Sequence, residues 1–307
     1  MEIIGTGSCV PSSVVTNAWL AARVNTTDSW IREQLGVEER RTVSAELTSD
    51  LAVSAARHAL AAADMTPADV RLLVVATQTP DRTAPATASI VQAKLGAWSA
   101  VAFDLAAVCS GFVFALTVAR RLVDLDGYTT ALVIGADTFS RITDYSSRDC
   151  VYFGDGAGAV VVRAGTGGHH VLDAQLYGDG HGHEAFTVPP GKGAYRMDAR
   201  AVYQHATQAL PAAITAMLEK QHLCMQDIAW IVPHQASLRV LQEVARKLDY
   251  PFEQVLTNMQ HYGNTAAATV PMALDQSCRA GKFRPGELVL LAAVGGGWTW
   301  GVMLLEW

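Results

Sequence analysis

Cys109 lies where an apolar stretch with the pattern of a strand, residues 101–108, runs directly into a stretch with the pattern of a helix, residues 109–120. This position predicts a sulfur at a helix N-terminus, where unpaired backbone N–H groups and the positive end of the helix dipole stabilise a thiolate. We therefore expect a lowered thiol pKa and a nucleophilic sulfur. The alternative is that Cys109 is a small buried hydrophobe, as most lone cysteines are.

Two polar residues further along the chain stand at similar junctions. His234 follows an apolar strand in Val-Pro-His-Gln-Ala, and Asn264 lies in Gly-Asn-Thr-Ala-Ala-Ala before a helix-compatible stretch. An imidazole and an amide are natural partners of a catalytic cysteine. The alternative for both residues is a polar turn whose side chains cap backbone groups. The three residues together favour a nucleophilic active site.

The amino-acid composition limits the classes of protein to which the chain can belong. The chain has 307 residues, of which 50% are apolar and 17% charged, so two closely packed halves can bury a large core without disulfides or metals. Its five cysteines are scattered, with no Cys-x-x-Cys pair and no secretory signal before them, and we expect reduced thiols and a cytoplasmic protein. The net charge of −6 excludes a general nucleic-acid binder, because no extended basic surface can face phosphates.

One segment resembles a membrane span and another resembles a metal site, but the sequence favours a different interpretation of each. Residues 288–307 are nearly all apolar, but three consecutive glycines interrupt them and the flanking pieces have strand length. We predict two buried strands joined at a glycine turn, and no membrane association. The histidines at positions 169, 170, 181 and 183 lack nearby cysteines and helical spacing, so a polar loop is favoured over a metal site.

The order of elements occurs twice along the chain. Residues 49–63 and 206–220 each have a helix pattern, and each is followed by a turn with an acidic residue and then a buried strand. Both copies continue with a strand and a helix, opened by Cys109 in one and by Asn264 in the other, which would make these two residues equivalent. Strands that are apolar throughout indicate sheets covered by helices on both faces. We infer an internal duplication into two α/β halves whose helix N-termini converge on one active site, residues 1–165 and residues 166–307.

With these motifs the chain resembles the thiolase-like condensing enzymes, and within them β-ketoacyl-acyl carrier protein synthase III. The resemblance is carried by Phe-Asp-Leu-Ala-Ala-Val-Cys109-Ser-Gly-Phe, Phe153-Gly-Asp-Gly-Ala-Gly, Val-Pro-His234-Gln-Ala, Gly-Asn264-Thr-Ala-Ala-Ala and the terminal Gly-Gly-Gly-Trp-Thr-Trp-Gly. These motifs follow the family's order over essentially the whole chain. The resemblance implies a duplicated, thiolase-like α/β fold in five layers, α-β-α-β-α, and a homodimer.

The same resemblance implies a decarboxylating condensing enzyme. Cys109 would take an acyl group from a thioester, with the backbone N–H groups of Cys109 and Gly296 as oxyanion hole. His234 and Asn264 would donate hydrogen bonds to the thioester oxygen of a malonyl substrate and so stabilise the enolate that decarboxylation leaves. The implied substrates are thioesters of coenzyme A or of an acyl carrier protein, with no tightly bound cofactor and no metal.

Trp30 and Arg148 match the positions where the family stacks the adenine of coenzyme A. The stretch that follows Arg148 is one residue shorter than is usual in the family, which weakens this match. A usual arginine is replaced by Gln34, and a usual Gly-Asn pair is replaced by residues 199–200.

Arg239, Arg246 and Lys247 lie on one predicted helix, and Arg239 matches a basic position at the mouth of the family's substrate tunnel. The resemblance implies a local basic patch for an acidic carrier protein. The alternative is an ordinary ion-pair ladder, Arg239 to Glu243 to Lys247, on a solvated face.

The acyl pocket departs from the family pattern. The positions implied to line it are Ala84, Phe139, Phe153 and Val294. Ala84 stands where the family inserts a side chain, often phenylalanine, across the dimer interface, and Val294 replaces an aromatic residue, although Phe139 fills part of the space. We expect primers larger than acetyl and a specialised member of the family, from a secondary-metabolite pathway.

Two other functions remain open. The first is transfer of the Cys109-bound acyl group to an oxygen, nitrogen or sulfur nucleophile without carbon–carbon bond formation. Release of carbon dioxide distinguishes condensation from this reaction. The second is a non-catalytic partner subunit, which the intact Cys109, His234 and Asn264 disfavour.

Overall fold

The computed structural model describes residues 1–125, 128–165, 167–189 and 193–307. The strands in these ranges are β1 (Glu2–Cys9), β2 (Ser13–Thr16), β3 (Glu39–Thr42), β4 (Leu72–Ala76), β5 (Val101–Leu105), β6 (Thr130–Thr138), β7 (Asp155–Arg163), β8 (His169–Gly178), β9 (Phe186–Thr187), β10 (Arg196–Met197), β11 (Ile228–Pro233), β12 (Leu288–Gly295) and β13 (Thr299–Glu306). The helices are α1 (Asn17–Ala21), α2 (Asp28–Leu35), α3 (Thr48–Ala62), α4 (Thr87–Leu95), α5 (Gly111–Leu125), α6 (Ala199–Gln221), α7 (Leu238–Lys247), α8 (Met259–Tyr262) and α9 (Thr269–Arg279).

One sheet of nine strands runs through the described residues in the order β11-β12-β13-β8-β1-β7-β6-β4-β5. The same arrangement of four strands, called an array below, occurs twice in this sheet. In the first copy β4 is parallel to β6, whereas β6 with β7 and β7 with β1 are antiparallel. In the second copy β11 is parallel to β12, whereas β12 with β13 and β13 with β8 are antiparallel. This repeat of order and direction confirms the predicted duplication, while the boundary between residues 165 and 166 stays a prediction.

Three apolar clusters define the layers. Helices α5 and α9 pack between the two arrays, against β4, β6 and β7 on one side and β11, β12 and β13 on the other. Helices α3 and α4 cover the outer face of the first array, and α6 and α7 cover that of the second. On β12, Val289 and Leu291 point to the central helices whereas Leu290 and Ala292 point to the outer ones. Strands that are apolar on both faces therefore produce the five predicted layers.

Both central helices begin after a 3-10 turn, which corrects two sequence predictions. A 3-10 turn covers Val108–Ser110 and a second covers Ala266–Ala268, and α5 and α9 follow them. The first residue of each turn has a positive φ, 47° at Val108 and 48° at Ala266. A residue in the left-handed region cannot continue into a right-handed helix, so each helix starts later than its apolar pattern does. Cys109 therefore precedes α5, and its equivalent in the second copy is Ala267 rather than Asn264.

The apolar C-terminal segment forms the predicted pair of strands. β12 and β13 are antiparallel from Leu288 opposite Glu306 to Gly295 opposite Thr299. Within the ranges given above, the structure contains no helix with the length and hydropathy needed to cross a bilayer. Helix α6 begins seven residues before the predicted segment, because Asp198 caps it by accepting hydrogen bonds from the N–H groups of Arg200 and Ala201.

Candidate active site

One cavity brings the three predicted catalytic residues together. Its outer wall is formed by α2, α6 and α7, and its inner wall by the loops after the strands. Cys109, His234 and Asn264 line the inner part and are only 7%, 3% and 7% exposed. The arrangement is a thiol, an imidazole and an amide around one buried space, in reach of a substrate that enters between three helices.

The Cys109 thiol is buried, and burial raises its pKa above the usual value. The nearby charge of Asp137 raises this pKa further, whereas the hydrogen bond from the Asn264 amide lowers it. The prediction of a lowered pKa at a helix N-terminus is therefore wrong. In an apolar site the loss of hydration outweighs one hydrogen bond to the thiolate.

Asn264 is held by its backbone and by its side-chain oxygen. Its N–H donates to the carbonyl oxygen of Tyr152, and the N–H of Gly154 donates to the Asn264 carbonyl, both at 3.0 Å. Its Oδ1 accepts a hydrogen bond of 2.8 Å from the N–H of Ala266. Because this contact assigns the oxygen, Nδ2 is the end of the amide that donates to Cys109.

His234 follows β11 directly, and its N–H continues the pairing with β12 by donating to the carbonyl oxygen of Ala292 at 2.7 Å. Its Nδ1 lies 2.8 Å from the hydroxyl oxygen of Thr269, which leaves Nε2 for a ligand in the cavity. Burial lowers the pKa of His234 to about 3. The ring is therefore neutral at physiological pH and presents a hydrogen-bonding group without a charge.

Asp137 ties the catalytic loops together, and sequence reasoning missed it. Its Oδ1 accepts from the N–H groups of Gln78 at 2.8 Å and Thr79 at 3.0 Å, and its Oδ2 accepts from that of Ala267 at 3.0 Å. Burial raises its pKa to about 6 although these hydrogen bonds oppose the shift. The available signal was a carboxylate at the end of an apolar strand, but its partners lie 58 to 130 residues away.

The glycines between β12 and β13 lie against the nucleophile. A Cβ on Gly295 would lie 3.1 Å from the nitrogen of Cys109 and 2.8 Å from the carbonyl oxygen of Ala107, so only glycine allows this approach. The Thr299 hydroxyl donates to the same carbonyl at 3.3 Å. Gly296, the predicted second oxyanion donor, lines the cavity beside Gly295.

At the mouth of the cavity the structure pairs the two residues that the resemblance implied for adenine. The guanidinium carbon of Arg148 lies 4.2 Å from the centre of the Trp30 ring. Thr27 caps α2 by accepting from the N–H of Trp30 at 3.1 Å, which sets the position of the indole. Trp30 and Arg239 both line the cavity.

The other two basic residues of α7 have partners elsewhere. Arg246 donates twice to the Glu243 carboxylate, at 2.8 Å each, and the Lys247 ammonium donates to the carbonyl oxygen of Thr207 at 2.9 Å. Glu243 therefore pairs with Arg246, and not with Arg239 and Lys247 as in the ion-pair ladder considered from the sequence. Of the three basic residues, the structure brings Arg239 alone to the cavity wall.

At the deep end, Cys109 belongs to one apolar cluster with four aromatic residues, Phe139, Phe153, Phe186 and Tyr195. The rings of Phe139 and Phe153 stack with centroids 4.4 Å apart, and Tyr195 meets Phe153 edge to face at 4.9 Å. Phe153 lines the cavity and Phe139 is fully buried behind it. Phe186 and Tyr195 had no recognisable sequence signal, since each is an isolated aromatic residue, Phe186 in the two-residue strand β9 and Tyr195 just before β10.

Of the two other positions predicted to line the acyl pocket, one lies at the cavity and the other does not. Val294 lines the cavity. Ala84 is exposed in the loop before α4 and does not line the cavity of its own chain. Its predicted role therefore requires a second copy of the chain.

The histidine-rich segment is partly a strand, so the prediction of a loop is wrong for two of its members. His169 and His170 lie in β8, where they pair with Ile3 and Glu2 of β1. The ring of His169 stacks on Trp307 with centroids 4.2 Å apart. His181 lies in a 3-10 turn, with Nδ1 2.6 Å from the carboxylate of Asp179.

Comparison with known proteins identifies the family. Residues 103–180 match the sequence profile of 3-oxoacyl-[acyl-carrier-protein] synthase III, and residues 218–307 match that of its C-terminal part. The β-ketoacyl-[acyl-carrier-protein] synthase III of Rhizorhabdus wittichii is 46% identical over 314 aligned positions, which cover 99% of this chain and 98% of that protein. The chain belongs to the synthase III family.

Solved structures of synthase III proteins share the fold over the full length. The 3-oxoacyl-[acyl-carrier-protein] synthase III of Aquifex aeolicus has a TM-score of 0.97 at 39% identity, covering 100% of this chain and 99% of its own. A priming β-ketosynthase of a polyketide biosynthetic pathway has a TM-score of 0.92 at 31% identity, and the match covers 99% of this chain and 96% of that protein. The predicted thiolase-like fold is confirmed. That the chain is a specialised member of the synthase III family stays a prediction.

Proposed function

We propose that this chain acts as a β-ketoacyl-acyl carrier protein synthase III, which takes an acyl group onto Cys109 and condenses it with a malonyl thioester. The observation that carries the proposal is the convergence of a buried thiol, a neutral imidazole and an oriented amide on one cavity. Two neutral donors suit an enolate, because a carboxylate would repel its charge and a lysine would retain the malonate carboxylate.

In the first half-reaction the sulfur of Cys109 attacks the carbonyl carbon of an acyl thioester. The N–H groups of Cys109 and Gly296 hold the oxyanion, and the bond to the leaving sulfur then breaks. Because burial raises the pKa of Cys109, the thiol must lose its proton as the thioester reacts. His234, with a pKa of about 3, is too weak a base to hold that proton, so the proton passes to the departing sulfur, which leaves as the thiol of the carrier.

In the second half-reaction Nε2–H of His234 and Nδ2 of Asn264 donate to the thioester oxygen of the malonyl substrate. The bond to the carboxylate breaks, carbon dioxide leaves, and the electron pair becomes the enolate that these donors stabilise. The enolate carbon attacks the acyl carbonyl, and the sulfur of Cys109 departs. This step needs the tautomer of His234 that carries its proton on Nε2, with the Thr269 hydroxyl donating to Nδ1.

We assign the cavity mouth to the carrier portion of the thioester. Trp30 and Arg148 supply a stacking surface for the adenine of coenzyme A. Arg239 supplies a positive charge at the mouth, and Arg246 and Lys247 follow on the same helix, on a chain whose net charge is −6. Because Arg246 is paired with Glu243 and Lys247 with a backbone carbonyl, we assign contact with an acidic acyl carrier protein to Arg239 in the first place.

We further propose a homodimer that forms across β5. This strand is at one end of the nine-stranded sheet and exposes 50% of Val101, and Trp98 just before it is 74% exposed. An edge strand flanked by exposed apolar side chains is a surface that a second copy can cover. A cytoplasmic site of action agrees with five unpaired cysteines, which remain thiols in a reducing compartment.

The proposal is tested by intact-protein mass spectrometry with a panel of acyl-CoA thioesters, followed by addition of malonyl-carrier protein and measurement of carbon dioxide. The parent should gain the acyl mass, and Cys109→Ala should not, while Cys224→Ala, at an exposed cysteine that does not line the cavity, serves as control. His234→Ala and Asn264→Ala should become acylated and then release carbon dioxide roughly 10²- to 10³-fold more slowly.

Three outcomes oppose the proposal. A persistent acyl adduct on Cys109→Ala would show that Cys109 is not the nucleophile. Carbon dioxide release at the parental rate in His234→Ala or Asn264→Ala would show that the replaced residue does not stabilise the enolate. Acyl transfer to another nucleophile with no carbon dioxide released would replace condensation by plain acyl transfer.

A further inference from the structure

We propose that His205 is a positioning residue for the oxyanion hole and that it acts through Trp298. The inference rests on the proposed function, since it concerns the donor at Gly296. Trp298 is the last residue of the turn between β12 and β13, with a φ of 49° that follows a φ of 73° at Gly297. The left-handed region is unfavourable for a non-glycine residue, so contacts outside the turn must hold it there.

Two groups pack directly on the Trp298 indole. The His205 ring, on α6, stacks on it with centroids 4.3 Å apart and planes 12° apart. A Cβ on Gly182 would lie 1.9 Å from Cδ1 and Nε1 of the indole, so the backbone of Gly182 touches the ring and no side chain fits there. The carbonyl oxygen of Trp298 also accepts a hydrogen bond of 2.8 Å from the N–H of Asp179.

The turn that these contacts hold carries the oxyanion donor. Gly296 is two residues from Trp298 in the same three-residue turn and lines the cavity, as Trp298 itself does. Gly295, at the start of the turn, packs on the nitrogen of Cys109. An oxyanion hole works only when its donors are in place before the charge develops. Release of the indole would therefore loosen one of the two donors while leaving the thiol in place.

The surroundings of His205 favour this role over an electrostatic one. Its Nε2 is buried without a hydrogen-bond partner in the described part of the chain. Besides the stack on Trp298, the ring meets Trp300 edge to face at 5.0 Å. The imidazole therefore contributes a flat surface to an aromatic cluster and not a charge or a hydrogen bond.

The experiment compares two reactions of the same sulfur. Acylation of Cys109 by acyl-CoA forms an oxyanion, whereas its alkylation by iodoacetamide does not. Single-turnover acylation and alkylation are followed by mass spectrometry of the Cys109 peptide in His205→Ala, His205→Phe and the exposed neighbour Gln204→Ala. We expect His205→Ala to slow acylation roughly 10- to 100-fold with alkylation within twofold of the parent. His205→Phe, which keeps a flat ring, should recover most of the acylation rate, and Gln204→Ala should match the parent.

Acylation of His205→Ala at the parental rate would overturn the inference. So would an equal loss of acylation and alkylation, which indicates general damage, or a His205→Phe variant as slow as His205→Ala. A parent protein that is alkylated at Cys109 but takes no acyl group from any thioester would instead contradict the proposed function itself.

Discussion

Nδ1 of His234 and the hydroxyl oxygen of Thr269 lie 2.8 Å apart, and this hydroxyl can serve the ring nitrogen in either direction. It accepts when Nδ1 carries the proton, and then donates to the carbonyl oxygen of Ala266 at 2.9 Å. When Nε2 carries the proton, the hydroxyl donates to Nδ1, and the Ala266 carbonyl keeps the N–H of Thr269 as its donor. In the donating direction this side chain fixes the tautomer with the proton on Nε2, which the second half-reaction requires.

Replacement of Thr269 tests this relationship. Thr269→Val removes the hydroxyl and leaves Nδ1 buried without a partner, at a cost of about 1–3 kcal/mol. We expect carbon dioxide release to slow roughly 10- to 100-fold, and Thr269→Ser to stay within threefold of the parent. Thr87→Val is the matched control, because among the residues that the structure describes the buried Thr87 hydroxyl has no hydrogen-bond partner, and Thr87 does not line the cavity. Equal rates for Thr269→Val and Thr269→Ser would show that the hydroxyl is not needed.

The raised pKa of Cys109 predicts how its alkylation depends on pH. Since the thiolate is the reactive form, the alkylation rate should rise about tenfold per pH unit from pH 7 to pH 9 without levelling off. The measurement is the rate of iodoacetamide labelling of the Cys109 peptide over this range. A plateau below pH 8 would mean that the helix terminus outweighs burial, as the sequence alone suggested.

The stack of Arg148 on Trp30 predicts a selective loss of coenzyme A recognition. Trp30→Ala removes a stacking surface worth about 1–2 kcal/mol, so KM for acyl-CoA should rise about 5- to 30-fold while kcat stays within twofold. Trp19→Ala is the matched control, since Trp19 stacks with Arg23 at 3.5 Å but does not line the cavity. Thioesters of N-acetylcysteamine, which lack adenine, should be used equally well by parent and Trp30→Ala. An equal loss with both kinds of thioester would contradict the assignment.

The aromatic rings behind Cys109 predict which change widens the acyl pocket. Phe139→Leu removes ring volume beneath Phe153, so the ratio of kcat/KM for octanoyl to that for acetyl thioesters should rise about tenfold. Ala84→Phe should move the ratio the other way if position 84 reaches the cavity of a second copy. Thermal unfolding of each variant shows whether the change is local. An unchanged ratio in Phe139→Leu would mean that the acyl chain does not reach this ring.

Local sequence patterns predicted the catalytic residues because Cys109 and His234 follow apolar strands and Asn264 precedes a helix-compatible stretch. The pair of C-terminal strands was also predictable, since three glycines between two apolar runs favour a turn. The start of α5 was not, because the left-handed backbone at Val108 depends on contacts that the helix pattern does not contain. The fold class came from the repeat of elements and from the family motifs, which extend over the whole chain.

Long-range contacts set the properties that the sequence did not predict. The pKa of Cys109 is raised by burial of the thiol and by the charge of Asp137, which is 28 residues away along the chain. The pairing of Glu243 with Arg246 instead of Arg239 depends on rotamers that several spacings on one helix allow equally. The stack of His205 on Trp298 joins residues almost a hundred positions apart, and no local pattern marks either of them.

The two ends of the nine-stranded sheet are unlike, although the halves repeat each other. At one end β5 is a full strand of five residues. At the other end, in the described residues, a single bridge from Val255 to Ile231 stands in the corresponding place, just after a 3-10 turn. In the dimer proposed above, β5 of each copy would pair with β5 of the other, so the same edge is used in both chains. A symmetric pairing of this kind closes at two chains and leaves no β5 edge for open-ended polymerisation.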